Sequence, residues 1–314
     1  MCLFYFLFFL SAPRSRCRSN VMLSTTTFFL WMEQIPTLAT AYFVSVALAL
    51  VAARCVPQLE RFFQHGKLVG GGNLKSHWAL DALGNISVPK SWFAHFYFLF
   101  LALMLFFCCS CWDYAPNDAT RLLWVLLTLQ AARRSLESVF VTRWSTESRM
   151  HISHYAVGIL FYVLIPLIVF LGLEAKRQLP SKQLAVVRLQ YVLGVPCENF
   201  REFLSGPLVF LYLYFSMDQL GNHLHLSSLK KYTAPTADLF LVVACAHYLD
   251  EVILYGIIAL LSLNSGNTRL SIALGSAWLF VLVNLSISAR ETQVFYQKKF
   301  DDYRIRYCII PYLY

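Results

Sequence analysis

The stretch Asp238-Leu-Phe-Leu-Val-Val-Ala-Cys-Ala-His247-Tyr248-Leu-Asp250-Glu251-Val-Ile-Leu-Tyr255-Gly-Ile-Ile-Ala-Leu-Leu-Ser-Leu263 decides how the chain is read. It is apolar for long enough to cross the ~30 Å hydrocarbon core of a bilayer, for which about 20 helical residues suffice. Four ionisable side chains interrupt it. Charges at that depth are costly and face a partner, a cavity or a task. His247 and Glu251 are four apart and share one helix face, and Asp250, three from His247, lies near it. One such pair alone reads as a tie between two helices. Four ionisable groups in one apolar helix predict a site.

The same apolar texture recurs along the chain. Of 314 residues, 58% are hydrophobic, 16% aromatic and only 14% charged. A soluble domain carries roughly 25% charged residues, and a mean hydropathy of +0.56 is too high for one water-soluble core. The expected fold class is all-α: a polytopic transmembrane bundle of six to seven spans. These fall near Leu38–Ala53, Trp92–Trp112, Arg121–Ala132, Ile152–Leu173, Gly206–Leu220, Asp238–Leu263 and Leu270–Ala289. The third and fifth runs are short. No hydrophilic stretch between spans is long enough for a separate globular domain. Residues 36–314 therefore read as one membrane-embedded domain with a short cytoplasmic tail, behind a poorly defined extension, 1–35.

The formal charge of +9 does not point to nucleic acid, because the basic residues sit at span ends. Arg54–Lys90, Arg133–Arg149, Lys230–Lys231 and the tail from Arg290 are basic, whereas Asp113–Asp118 and Ser265–Arg269 carry almost no positive charge. The positive-inside bias puts the C-terminus in the cytoplasm. The connection holding Lys176, Arg177, Lys182, Arg188 and Arg201 disobeys it. Leu3–Leu10 precedes Arg14, Arg16 and Arg18, the reverse of the charge order of a secretory signal; Met22 and Met32 are alternative starts. The sequons at Asn85 and Asn284 are expected to stay unglycosylated. The nine cysteines read mostly as small apolar residues, with Cys108, Cys109 and Cys111 placed where palmitoylation is possible.

Polar residues gather in two more places. The fifth span ends in Met217-Asp218-Gln219-Leu-Gly-Asn222-His223-Leu-His225, followed by Lys230 and Lys231. Gln219 and His223 repeat the four-residue spacing, and amide, imidazole and ammonium groups at a membrane boundary suit a phosphate-bearing ligand. A helix end dissolving into water, with lysines on lipid headgroups, reads equally well. The tail interleaves bases with aromatics: Arg290, Phe295, Tyr296, Lys298, Lys299, Phe300, Tyr303, Arg304, Arg306, then Ile309-Ile310-Pro311-Tyr-Leu-Tyr314. It suits stacking on a nucleotide or anchoring at the membrane interface. Eight histidines without a His-His doublet do not suggest a membrane di-iron centre, so no metal is expected. Gly70–Gly72 is a bare glycine run, and no GxGxxG or Walker loop is present. A nucleotide would bind without a Rossmann domain.

At these residues the chain resembles the steroid 5-alpha-reductase superfamily, and within it the polyprenol/polyprenal reductase branch, in order from about Gln64 onward. His65-Gly66-Lys67 is similar to a Tyr-Gly-Lys element, and Val88-Pro-Lys-Ser-Trp-Phe-Ala-His95-Phe-Tyr97 to the pattern before the second span. Arg133-Arg134-Ser-Leu-Glu137 matches an Arg-Arg-x-x-Glu block, and His154-Tyr155-Ala-Val-Gly158 through Tyr162 opens the fourth span. Gln219 and His223 fall on a Gln-x-x-x-His pair, and Leu229-Lys230-Lys231 on Leu-Arg-Lys. Asp238, Phe240, Val243, His247, Tyr248, Leu249 and Glu251 keep the register of the sixth-span motif. Phe295-Tyr296 to Tyr314 resembles the closing signature.

The resemblance implies NADPH in a cavity among the spans that opens to the cytoplasm, lined by Gln219, His223, Lys230, Lys231, Asp238, His247, Glu251, Tyr296 and Arg306. It implies an endoplasmic-reticulum enzyme that reduces the alpha-isoprene double bond of a polyprenal or polyprenol within the bilayer, leading to dolichol for N-glycosylation. His247, Tyr248, Glu251 and Tyr296 are the expected catalytic residues, with Tyr248, Tyr296 and protonated His247 as candidate carbonyl donors. The chain departs from the family where only Tyr-Thr-Ala-Pro-Thr-Ala separates Lys231 from Asp238. It also has Gln293 and Gln130 in place of histidines, Leu239 in place of a tryptophan, and no proline after Tyr303. These departures point to a divergent enzyme. A steroid or enoyl-CoA reductase of the same fold is the alternative; Glu33-Gln34-Ile35-Pro36 reverses the Gln-Glu-Leu-Pro element of the steroid branch and precedes the span. A transporter or an inactive scaffold is the non-enzyme alternative.

Overall fold

The structure is a computed structural model describing residues 19–55, 86–112, 117–145, 147–171, 197–229 and 233–312. Among these are seven long helices: α1 Ser19–Cys55, α2 Phe93–Cys111, α3 Asp118–Phe140, α4 Ile152–Leu171, α5 Cys197–Ser228, α6 Ala246–Ser262 and α7 Thr268–Lys299. Helices α1, α2, α4, α6 and α7 contain segments long and apolar enough to cross a membrane, and the protein is a multi-pass membrane protein. Helices α3 and α5 hold the two short apolar runs. Both continue past them, and those added turns carry Arg133, Arg134, Glu137 and His223. The His65-Gly66-Lys67 element, Asn85, the 176–188 connection, Lys230 and Lys231 lie outside the described residues.

Local signals set the helix starts. Asn117 caps α3 by accepting from the Thr120 backbone N–H at 2.9 Å, and Asn267 caps α7 through the Leu270 N–H at 3.2 Å. Each satisfies a donor that the first helical turn leaves without a partner. Gly266, at φ 71°, supplies the left-handed residue in the turn between α6 and α7.

The sixth span starts later than its apolar run predicts. Asp238–Leu241 is one 3-10 turn, and α6 begins only at Ala246. Asp238 takes φ 48°, a left-handed conformation that aspartate tolerates better than most residues. The reason for the late start lies in the tail. Val243 and Tyr307 form a parallel bridge, and the N–H groups of Ala244 and Cys245 donate to Tyr307 O at 2.9 Å and Cys308 O at 3.2 Å. Those donors are met by the tail, so the segment has no need to be helical. Tyr303, Cys308 and Ile309 are buried, and this part of the tail is built into the fold.

Packing then fixes the bundle. The rings of Phe43 on α1, Phe161 on α4 and Phe280 on α7 meet at centroid distances of 5.7, 6.0 and 5.6 Å, the spacing of favourable aromatic pairs. Tyr212 on α5 donates to Leu126 O on α3 at 2.9 Å. Trp278 Nε1 donates to Val252 O at 3.1 Å, reaching α6 over Gly256, where a Cβ would lie 3.1 Å from that nitrogen. Arg54 and Glu291 pair α1 with α7. Leu38, Leu48, Phe98, Leu105, Phe210 and Ile272 point outward, as lipid-facing surface does.

One element has no counterpart in the apolar pattern. Strands β1 Ser87–Pro89 and β2 Arg149–His151 form an antiparallel ribbon with Val88 opposite Met150. Lys90 N–H extends it to Ser148 O at 2.9 Å. Val88, Met150 and Phe96 form a small buried cluster beneath it, so the ribbon clamps the starts of α2 and α4 together.

Candidate active site

Helix direction brings the polar residues to one face of the bundle. The N-terminal ends of α2, α4 and α6 and the C-terminal ends of α3, α5 and α7 surround a cavity of about 700 Å³. Its wall includes Tyr97, Arg134, His154, Gln219, His223, Glu251, Tyr296 and Asn284.

A charged lattice forms the back of this cavity. On α3, Arg133 and Arg134 both donate to the Glu137 carboxylate, across the three- and four-residue spacings that put side chains on one helix face. Glu137 is 2% exposed. His223 Nδ1 on α5 lies 2.8 Å from Glu137 Oε2 and 3.0 Å from Arg134 Nη1, between a carboxylate that only accepts and a guanidinium that only donates. Arg133 also donates to Gln219 Oε1, and to Gln130 Oε1 at 2.8 Å. Gln219 Nε2 donates to Glu251 Oε2 and to the His247 carbonyl at 3.1 Å. Three helices are thus joined by one chain of charge-assisted hydrogen bonds, the stronger class. A second rung lies behind it: Asn222 donates to Asp250 Oδ2 at 2.7 Å, with Asp250 fully buried and outside the cavity wall.

Six of the residues singled out in the sequence line this one cavity: Gln219, His223, His247, Tyr248, Glu251 and Tyr296. His247 and Tyr248 rings lie 4.2 Å apart and His247 and His223 rings 5.6 Å apart. Asp238 and Arg306 are exposed and do not line it, and Lys298 and Lys299 are exposed beyond the end of its wall. Among the described residues the lysine and arginine side chains that reach the cavity are Lys90, Arg134 and Arg143. Lys90, Tyr97 and Arg134 stood out in the sequence only within the stretches that resemble the family, Val88–Tyr97 and Arg133–Glu137, and no role in the site was expected of them. Gln293, standing where the family has histidine, is fully buried. It accepts from Arg290 at 2.6 Å and Cys308 Sγ at 3.1 Å, and donates to Ile305 O and Arg306 O at 3.2 and 2.8 Å. The amide fastens the tail to α7. Burial pushes the Tyr303 hydroxyl and Cys308 thiol above their ordinary pKa values, so both stay neutral in that packed tail.

The donor set fits a nicotinamide dinucleotide. The volume lies within the ~300–1,000 Å³ typical of ligand pockets, and the Lys90 and Arg143 side chains suit phosphate oxygens. His247 Nδ1 is buried without a hydrogen-bond partner among the described residues, a polar atom that a bound ligand can satisfy. A second cavity of about 570 Å³ lies between α1, α4 and α7 and shares His154, Val157, Phe280 and Asn284 with the first. The rest of its wall is small or apolar: Ser45, Val46, Ala49, Leu50, Ala53 and Ser153.

Residues 198–314 match the family described as 3-oxo-5-alpha-steroid 4-dehydrogenase. The chain is 32% identical over 277 residues to the polyprenal reductase of Saccharomyces cerevisiae, covering 87% of this chain and 92% of that protein. It is 28% identical over 273 residues to polyprenal reductase 1 of Arabidopsis thaliana, covering 73% and 82%. It is 26% identical over 267 residues to the polyprenal reductase of Caenorhabditis elegans, covering 73% and 80%.

Proposed function

The chain belongs to the polyprenal reductase family, and on that premise we propose that it reduces the alpha-isoprene double bond of polyprenal with NADPH, supplying dolichol for N-glycosylation at the endoplasmic reticulum. It is an oxidoreductase, and reductases of this family draw on a nicotinamide cofactor. The observation that carries the proposal is the meeting of two cavities, one bearing the charged lattice and cationic side chains on an otherwise apolar wall, the other almost wholly apolar. A polyprenyl enal needs both: a site for a charged cofactor at its head and a lipid-like site for its tail.

When bound, NADPH would supply the hydride. Lys90 and Arg143 are the groups suited to its phosphates, and the Gln219–Glu251 pair, one amide and one carboxylate, is suited to a carboxamide. Desolvation by the apolar wall strengthens each of these contacts. The isoprenoid tail would follow the second cavity toward lipid. The basic residues at the cavity's end of the bundle support a cytoplasmic opening and a cytoplasmic C-terminus, and residues 36–314 would act as one membrane-embedded reductase domain. Lys230, Lys231, Asp238 and Arg306 remain candidates for the rim of the cofactor site.

The test is lipid analysis of cells lacking the chain. Polyprenol that accumulates and is cleared by restoring the chain supports the reading; an unchanged ratio of dolichol to polyprenol refutes it. A 3-oxo-4-ene steroid offered to the purified protein separates the steroid reading, which the match of residues 198–314 keeps alive.

A further inference from the structure

The family reaction needs an O–H or N–H group aimed at the carbonyl oxygen of the enal, because hydride addition at the beta carbon drives negative charge onto that oxygen. We propose that Tyr97 on α2 is this donor, an inference that rests on the reductase reading above. Arg134 Nη2 donates to the Tyr97 hydroxyl at 2.6 Å, and its guanidinium carbon lies 4.6 Å from the centre of the Tyr97 ring. A guanidinium has no lone pair to offer, so it occupies the oxygen of Tyr97 and leaves the hydroxyl proton free. Among the described residues no hydrogen-bond acceptor takes that proton, and Tyr97 lies in the cavity wall.

Other tyrosines in the wall lack this arrangement. Tyr248 lies against the His247 ring, and Tyr296 lies among Phe300 and Tyr303 beside the tail. Neither hydroxyl has a guanidinium hydrogen bond among the described residues. A cation fixed on the phenol oxygen favours the phenolate that forms as the proton leaves. Arg134 is itself held by Glu137 and by the charged lattice, so it need not reorganise during the reaction. The Tyr97 ring packs edge-on against Tyr162 of α4, with centroids 5.6 Å apart.

The step balances. Bound NADPH would supply the hydride that forms the C–H bond at the beta carbon, and the double-bond electrons would then move toward the carbonyl oxygen. That oxygen takes the Tyr97 proton, giving an enol and a phenolate beside Arg134. A proton from water then forms the C–H bond at the alpha carbon while the enol proton returns to Tyr97. The products are the saturated aldehyde, oxidised nicotinamide, the restored phenol and the hydroxide left by the water, which is neutralised in the solvent.

The experiment uses the full chain in detergent, with a polyprenal and a short terpenoid enal as substrates and NADPH as reductant. Tyr97→Phe should lower kcat by about 10²–10³-fold while the NADPH dissociation constant moves little; the thermal midpoint should fall modestly, because Arg134 loses one hydrogen bond. A fluorinated tyrosine at position 97, whose phenol is more acidic, should move the alkaline limb of the kcat profile to lower pH. It also covers the case in which Tyr97→Phe fails to fold. An active wild type with Tyr97→Phe within threefold of it, or a fluorinated variant with an unmoved limb, overturns the inference alone. A wild type that oxidises no NADPH with either enal overturns it together with the reductase reading.

Discussion

The side-chain amide of Gln219 joins Arg133 to Glu251, accepting from the guanidinium on α3 and donating to the carboxylate on α6. An amide is suited to this post because its two ends have opposite hydrogen-bonding character. Gln219 is 1% exposed, so water does not substitute for it freely. Gln219→Leu should leave both charges without their partner, at about 1–3 kcal/mol for each group. The expected readout is a lower thermal midpoint and weaker NADPH binding. Gln219→Glu should repel Glu251 and weaken binding further.

Gly158 is fixed by the ring above it. A Cβ there would sit 2.7 Å from two Phe96 ring atoms, closer than packed carbons tolerate. Gly158→Ala should push Phe96, and with it the start of α2, at a cost of about 1–3 kcal/mol. Turnover should fall while the NADPH dissociation constant moves little, because the displaced helix carries Tyr97 rather than the Gln219–Glu251 pair. Steady-state kinetics alongside cofactor titration checks this.

Gln293→Ala should free the tail, removing two donated and two accepted hydrogen bonds at once. Limited proteolysis should cut between Tyr303 and Cys308 faster than in the wild type. Gln293→His, which restores the family's residue type, should retain more protection than alanine.

The second cavity predicts discrimination by chain length. Ala49→Trp fills space between α1 and α4 without touching the charged lattice. Turnover of a long polyprenal should fall at least tenfold relative to a short terpenoid enal. Equal losses on both substrates would place the tail elsewhere.

How much of this could be read from the amino acids follows from what each residue depends on. The spans were legible because apolar length is a local property: among the described residues a long helix lies on each of the seven runs, and five of these helices are long and apolar enough to cross a membrane. Gln219, His223, His247 and Glu251 were legible because spacing on a helix fixes which side chains share a face. The late start of α6 was not, since it depends on a bridge to Tyr307, far away in the chain. The ribbon of β1 and β2 escaped for the same reason. Arg134 could be read as a helix charge, but its bond to Tyr97 spans two helices and has no signature in either. Gln293 looked like a loss of the family histidine, whereas its amide meets all four of the groups around it.

The most direct test of the central claim is reduction by the purified chain in detergent, supplied with NADPH and polyprenal and followed by cofactor absorbance and mass spectrometry of the lipid. The account predicts one NADPH oxidised per saturated alpha-isoprene unit formed, and loss of that turnover in Glu251→Gln. A protein that binds NADPH but leaves polyprenal unchanged while reducing a 3-oxo-4-ene steroid would contradict it.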